Sequence, residues 1–326
     1  MDAPSPVARL AGATTRRCRE ELLAARRAAL ETRDPEGIHR ARVALRRLRA
    51  ACGLFAAAED TAGAAALPAA DIAVLRALRG DARFLADSCG PTRDLDVFIA
   101  GAMAQAAAGL AAVPGIDDSL RAWRATALRL RRTRHDSARR ALAGDVFAAF
   151  DTRLATTLPA PEGVDDATAD AARNFARRAL DRLHRKARKA GRKLRALDAD
   201  GRHALRLRVK KLRYAATFFA GLFDPAAARP YIEAAAGLQD ALGLANDRAV
   251  ATRVAADIRA AARPKGRLDR IGGAIEGWLA ARDADPARAD GEEKALRRAW
   301  KRFEAAPLFW RVKAAARGAA GDGEWT

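Results

Sequence analysis

Residues 39–55 read HRARVALRRLRAACGLF, and residues 203–219 read HALRLRVKKLRYAATFF. The two stretches align without a gap at an offset of 164. His39 meets His203, Arg42 meets Arg206, Leu48 meets Leu212, Arg49 meets Arg213, Ala51 meets Ala215 and Phe55 meets Phe219, while Arg46/Lys210 and Arg47/Lys211 keep the charge. A helix turns 100° per residue, so spacing decides the face each side chain occupies. His39, Arg42, Arg46 and Arg49 sit at i, i+3, i+7 and i+10, within an arc of about 80°. Ala41, Leu45, Leu48, Cys52 and Phe55 form a separate heptad stripe fit for burial. The second stretch repeats the division, with His203, Arg206, Lys210 and Arg213 against Leu205, Val209, Leu212, Ala216 and Phe219. Each is a helix with one dry face and one cationic face.

The repetition extends outward. Asp34 and Gly37 match Asp198 and Gly201 at the same offset, so the helix start recurs. Downstream, LADSCGPTRDLDV at 85–97 resembles LQDALGLANDRAV at 238–250, sharing Leu85/Leu238, Gly90/Gly243, Asp94/Asp247 and Val97/Val250. That offset is 153, so the connection between the motifs is 11 residues longer in the first half. Elsewhere, apolar residues recur at i, i+3, i+4 and i+7, and strand signals are nearly absent. The sequence thus predicts an all-α fold of some ten helices, in two pseudo-symmetric helical-bundle repeats whose cationic faces are free to converge on one basic groove. Repeat one covers about 8–157 and repeat two about 171–312, with short tails at 1–7 and 313–326. The two His-bearing helices should lie side by side near a pseudo-twofold axis. Breaks are expected at Asp34–Gly37, Thr61–Pro68, Gly90-Pro91, Pro114-Gly115, Leu158–Gly163, Asp198–Gly201, Asp224-Pro225, Arg263–Gly266 and Asp283–Pro286.

The 326 residues are half hydrophobic and carry 60 Lys and Arg against 40 Asp and Glu, a net charge of +20. Only nine of the basic residues are Lys. Such a balance excludes a disordered tail or a disulfide scaffold and points to an anionic partner. Biased codon usage accounts for part of the Arg excess, but not for where the charges sit. Arg76, Arg79 and Arg83 are spaced i, i+3, i+7, and Arg178, Arg182, Arg185 and Lys189 are spaced i, i+4, i+7, i+11. Residues 171–223 hold 17 basic and three acidic side chains. Like charges one turn apart repel by a few tenths of a kcal/mol, so an unrelieved cationic stripe suits a polyanion site better than a purely solvated face. The structural alternative is pairing with acids elsewhere in the chain. His39 and His203, which on their own would read as capping or packing residues, add a hydrogen-bond donor to each stripe. The candidate binding set is therefore His39, Arg42, Arg46, Arg49, Arg76, Arg79, Arg83, Arg182, Arg185, Lys189, His203, Arg206, Lys210 and Arg213. Asp94 and Asp247 are expected to hold basic side chains in place or to cap a helix, without touching ligand.

Catalytic motifs are missing. There is no Walker A loop, no Gly-x-Ser-x-Gly and no dinucleotide fingerprint, so no enzyme and no cofactor is expected. Asp165, Asp166 and Asp170 form an acidic cluster without the second motif that metal-dependent isoprenoid chemistry needs, and read as a linker and helix start. Cys18, Cys52 and Cys89 have no zinc-type spacing, and with only four His in the chain no metal site is expected. They read as buried thiols of a reducing cytoplasm. Residues 97–116 are uncharged, long enough to span a bilayer, but Ala- and Gly-rich and broken by Pro114-Gly115, so a helix packed in protein is the expectation.

These motifs resemble the CHAD family, the conserved histidine α-helical domain. The resemblance rests on IHRARVALRRLRA from 38, LRVKKLRYAATFF from 207, GPTRDLDV from 90, LQDALGLANDRAV from 238 and the closing APLFWR ending at Arg311, and covers roughly 8–312. It implies helical bundles around a basic channel that binds inorganic polyphosphate, and occurrence at polyphosphate or storage granules. The ExExK strand of the triphosphatase domain fused to some members is not found, so the resemblance is to a CHAD-only protein. One departure stands out. The basic i, i+4, i+7 face on the helix at 173–195 has no clear counterpart at the aligned positions of the first helix, where Glu21 and Ala25 stand, so the two halves of the channel need not bind equally. Nucleic acid stays open as the alternative partner, although aromatic residues are only 6%, leaving few platforms for base stacking.

Overall fold

The computed structural model describes residues 5–32, 35–57, 67–156, 166–262 and 266–311. Among these the chain is all-α, with helices α1 (Pro6–Glu31), α2 (Pro35–Phe55), α3 (Ala69–Ala100), α4 (Ala102–Gly109), α5 (Ile116–Ala143), α6 (Asp145–Thr156), α7 (Asp166–Gly191), α8 (Ala199–Phe219), α9 (Pro225–Ala241), α10 (Leu244–Ala261), α11 (Arg267–Asp283) and α12 (Pro286–Ala305). Short 3₁₀ turns at Leu194–Ala196 and Ala220–Leu222 flank α8.

Helix starts follow local chemistry. Ser5, Asp198, Asp224 and Asp285 each cap a helix by accepting a hydrogen bond from a backbone N–H of its first turn, at 3.2, 2.8, 2.9 and 3.0 Å. Pro6, Pro225 and Pro286 occupy the first helical position, where a missing N–H costs nothing. Pro114-Gly115 ends the uncharged stretch, with Gly115 left-handed at φ 67°. Gly101, Gly144 and Gly191, which carry no flanking signal in the sequence, also separate helices. Asp34, Asp165 and most of the breaks expected at 61–68, 158–163 and 263–266 lie outside the described residues.

Gly90-Pro91 is a correction. The expected break does not occur, and α3 runs through it as one helix of 32 residues. Leu85, Ala86, Cys89, Thr92 and Leu95 are all buried on one continuous face, and Pro91 points to solvent. That burial outweighs the lost N–H and the ring clash, about 3 kcal/mol. In the matching stretch the chain does break, between α9 and α10 at Leu242-Gly243.

The two cationic helices lie together. α2 packs against α1, α3 and α8, and α8 packs between α7 and α9. The aligned Phe55 and Phe219 meet edge to face at 6.2 Å, and Phe175 of α7 closes the group at 6.0 Å from each. This group sits in the larger of two cores, built from α1–α3, α6–α9, α12 and the end of α5. The smaller core joins the end of α3, α4 and the start of α5 to α10 and α11, and buries Leu95, Phe98, Trp123, Ile271 and Ile275. Met103 and Ala106, from the uncharged stretch, pack here, and no helix among the described residues is long and apolar enough to cross a membrane. Cys18, Cys52 and Cys89 are all buried free thiols, and burial pushes the Cys52 thiol up to about 12.

Candidate functional site

Once the dry stripes of α2 and α8 enter the core, the cationic faces turn toward each other. Lys210 of α8 feels Arg46, Arg206, Arg49 and Arg42 at once. Partial burial, followed by those four like charges, lowers its ammonium from 10.5 to about 8. Arg42 and Arg49 are half-buried, and in each case burial and neighbouring cations disfavour the charge, Arg46 for Arg42 and Arg83 with Arg79 for Arg49. Few acids relieve the cluster. Among the described residues Arg42, Arg46, Arg49, Arg206 and Lys210 make no ion pair, and the Nε atoms of Arg42, Arg46 and Arg206 are buried without a hydrogen-bond partner. A buried charged donor left unmatched costs about 1–3 kcal/mol or more, which an incoming oxyanion would recover.

Arg42 and Arg206, which align in the sequence, each sit beside a glycine. The Arg42 guanidinium lies over Gly90, where a β-carbon would come within 3.8 Å of it, and the Arg206 guanidinium lies over Gly243 at 3.0 Å. A side chain at Gly243 would crowd the Arg206 fork, whereas at Gly90 a β-carbon would meet Arg42 only at ordinary contact distance. The cluster extends along α3. The Arg79 side chain packs on Gly53 of α2, and Arg79 and Arg83 act on Arg49. Arg83 is exposed and pairs with Asp87 at 3.4 Å, and Arg76 is exposed one turn before Arg79.

The remaining predicted residues differ in placement. His39 is half-buried, its Nδ1 lacks a partner, and burial together with Arg93 lowers its pKa, so it is a neutral donor near pH 7. His203 is exposed on the first turn of α8. Arg213 does not mirror Arg49: its Nε donates to Gln239 at 3.1 Å and its guanidinium stacks 5.0 Å from the Tyr214 ring. Arg182, Arg185 and Lys189 lie on α7, which packs against α8, but the charges named as lowering the Lys210 ammonium are those of Arg46, Arg206, Arg49 and Arg42. Arg185 instead acts on Asp181 one turn away, which accepts from Trp310 Nε1 at 2.8 Å and Arg311 at 2.9 Å. That face of α7 receives the closing APLFWR segment.

Asp94 holds a basic side chain, as one of its two expected roles requires: Arg253 of α10 donates to it at 2.8 Å. It caps nothing, because α3 does not begin there. Asp247 stands exposed in the first turn of α10, where negative charge suits the helix dipole, and no side-chain cap forms at Gly243. Arg253 with Asp94 and Arg134 with Asp257, the latter at 2.7 Å, frame a cleft of about 340 Å³ that opens beside Arg42 and Pro91. Sequence reading missed Arg93, Arg134 and Arg253. Arg134 and Arg253 find their partners, and Arg93 acts on His39, on other helices, so no local spacing marks them. No group of three or more His, Cys, Asp or Glu side chains suited to a metal occurs among the described residues.

The geometry is that of an all-α protein whose two central helices press together cations that make no ion pair among the described residues. The CHAD domain family model matches residues 13–256, three quarters of the sequence, and the chain belongs to the CHAD family. The crystal structure of the CHAD domain from the plant Ricinus communis is similar with TM-score 0.68 and 27% identity, over 91% of this chain and 93% of that one. PptA from Streptomyces chartreusis shares the fold with TM-score 0.61 and 16% identity, over 92% of this chain and all of that one. No curated protein sequence matches.

A titration follows from Lys210. Its free-state pKa is about 8 and an anion raises it, so binding takes up a proton above pH 8. Affinity for a phosphate polyanion is expected to be flat below pH 8 and to fall by up to about tenfold per pH unit above it. Lys210→Arg should abolish the fall while keeping the charge. A profile identical in wild type and Lys210→Arg would remove Lys210 from the site.

Proposed function

We propose that this protein binds inorganic polyphosphate, without catalysis, between the cationic faces of α2 and α8, with α3 as a flank. The observation that carries the reading is the half-buried group of Arg42, Arg46, Arg49, Arg206 and Lys210, unpaired and depressing the Lys210 ammonium. Packing forces these charges together at a cost, and only a multiply charged ligand offsets it. Arg suits the task, since its planar fork donates two hydrogen bonds to neighbouring phosphate oxygens and stays charged at cellular pH. The contacts of the aligned pairs, Phe55 with Phe219 and Arg42 and Arg206 with their glycines, support two repeats related by a pseudo-twofold axis between α2 and α8. Membership of the CHAD family supports polyphosphate over other polyanions, and granule association follows as part of the same reading.

Nucleic acid is the competing ligand. Aromatic platforms are scarce: Phe55, Phe175 and Phe219 are buried and Tyr214 lies under Arg213, leaving Phe84, next to Arg83 on the α3 flank, as an exposed ring. Competition of long-chain polyphosphate against duplex DNA at one fixed salt concentration tests the reading. Polyphosphate is expected to win by at least tenfold. Engaging five or six cations should give a log affinity against log salt slope of about −4, by analogy with single-stranded nucleic acid. DNA binding as tightly as polyphosphate, or a slope near −1, would overturn the assignment. Polyphosphate or ATP incubated with the protein and magnesium or manganese should stay intact, since no group of three or more His, Cys, Asp or Glu side chains among the described residues suits a metal ion, and Asp94 and Asp257 beside Arg42 are held by Arg253 and Arg134.

A further inference from the structure

A second strongly cationic cleft lies away from α2 and α8. It is formed by the end of α7, the 3₁₀ turn after it and one face of α12, and encloses about 730 Å³, more than twice the cleft beside Arg42. Arg192, Lys193 and Arg195 line one wall. The other wall is an α12 stripe at i, i+3, i+4 and i+7: Lys294, Arg297, Arg298 and Lys301. That spacing keeps the four on one side of the helix and spreads charge over about 10 Å of it. Glu304 is the one acid on the lining, and it faces Arg188 at 3.6 Å. Lys294 is held by Asp290 and Arg297 leans on Glu293. Arg192, Lys193, Arg195, Arg298 and Lys301 make no ion pair among the described residues, and all five are exposed. The carboxyl end of α7 supplies about half a negative charge, too little to neutralise five cations.

The cleft also has a hard floor. The Trp300 ring seals against Gly191, where an added β-carbon would lie 2.1 Å from the ring, and Trp300 is only 8% exposed. Its face is spent on packing, so no base could stack on it. What is left for a ligand is a trough of flexible cations without aromatic or acidic selectivity. A volume of this size is in the range of ordinary ligand sites.

We propose that the α7–α12 cleft is a second site for a condensed phosphate chain, so that one molecule grips polyphosphate at two separate places. The inference rests on the polyphosphate reading of the α2–α8 site and adds bivalency to it. Two sites joined through one rigid protein bind a chain long enough to reach both far more tightly than a short one. They also let one protein bridge two chains.

Calorimetry with inorganic tripolyphosphate reads the number of sites. Wild type should take up two equivalents. Arg298→Glu with Lys301→Glu should leave one, Arg46→Glu with Lys210→Glu should leave one, and the four together none. With long-chain polyphosphate the cleft variant should lose at least tenfold in affinity and stop forming light-scattering particles. The four cleft positions Arg192, Arg195, Arg298 and Lys301 are exposed, and Arg192→Ala with Arg195→Ala gives a second, milder disruption of the same cleft. A single equivalent in wild type that disappears only in the Arg46/Lys210 variant would overturn the second site and leave the first intact. Loss of all binding in the cleft variant alone would overturn the α2–α8 assignment and, with it, bivalency. Duplex DNA displacing tripolyphosphate from the cleft at equal charge would overturn the ligand assignment.

Discussion

Arg46→Glu combined with Lys210→Glu is expected to weaken polyphosphate binding by roughly a hundredfold to ten-thousandfold while the fold persists. Each side chain offers a charge-assisted hydrogen bond worth about 1.5–3 kcal/mol, and two such losses reach about 3–6 kcal/mol before repulsion is added. In the free protein the effect runs the other way. Arg46 and Lys210 stand among like charges without partners, so two carboxylates there gain Arg42, Arg49 and Arg206 as neighbours. The melting temperature should hold or rise. That opposition separates loss of a site from loss of structure. Arg47 is unsuitable as a control, since it holds Glu21 at 2.8 Å, and reversal would set two carboxylates together. Arg40 and Arg208 are exposed on α2 and α8, away from the cationic faces. Arg40→Glu with Arg208→Glu changes net charge equally and should cost less than tenfold. Equal losses in the two double variants, measured at one salt concentration, would mean diffuse attraction and no groove.

The central pair of helices was legible because both of its signals are local. A charge stripe and an apolar stripe on one helix can be counted from spacing alone, and recurrence at an offset of 164 tied α2 to α8 before any contact was known. Gly90-Pro91 misled for the complementary reason. A proline rule is local too, but the buried run Leu85–Leu95 that overrides it depends on what packs against α3. The α7 stripe is helical in spacing like that of α2, but the docking of Trp310 and Arg311 on Asp181 comes from a segment more than a hundred residues away, which no local spacing marks. The α12 stripe escaped notice because Glu292 and Glu293 sit beside it in sequence. In the structure both acids are engaged, with Arg248 and Arg288 and with Arg202, leaving Arg298 and Lys301 uncovered. Charge counted along a chain and charge left over after pairing are different quantities, and a ligand meets the second.

The second large effect concerns the closing segment. Trp310→Ala is expected to destabilise the protein by about 3–5 kcal/mol, a drop in melting temperature on the order of 10 °C. Trp310 is fully buried, stands edge to face with Tyr231 at 4.8 Å and with Phe309 at 5.0 Å, and packs near His184 at 5.9 Å. Its backbone carbonyl accepts from Arg177 at 3.1 Å. Removing the indole leaves a cavity among these rings and strips Asp181 of one of its two donors. Burial alone would raise the Asp181 carboxyl, but Trp310 and Arg311 outweigh it and hold the group below the usual carboxylate range. Stability from that pairing is present at neutral pH and is lost as pH falls through the lowered pKa, so the variant should be less acid-sensitive than wild type. His184 works in the same direction with opposite chemistry. Buried against Tyr231, whose hydroxyl it meets at 2.8 Å, and beside Arg188, it has a pKa lowered to about 4 and stays neutral in the fold. Trp310→Phe keeps most of the ring and loses the hydrogen bond, and should cost about 1–3 kcal/mol. Because this aromatic group braces α7, α9 and α12 and does not touch the α2–α8 cluster, polyphosphate affinity measured well below the transition should change less than threefold in either variant. Circular dichroism melts with wild type alongside decide the first point: a shift under 2 °C for Trp310→Ala would show that the closing segment does not anchor α7.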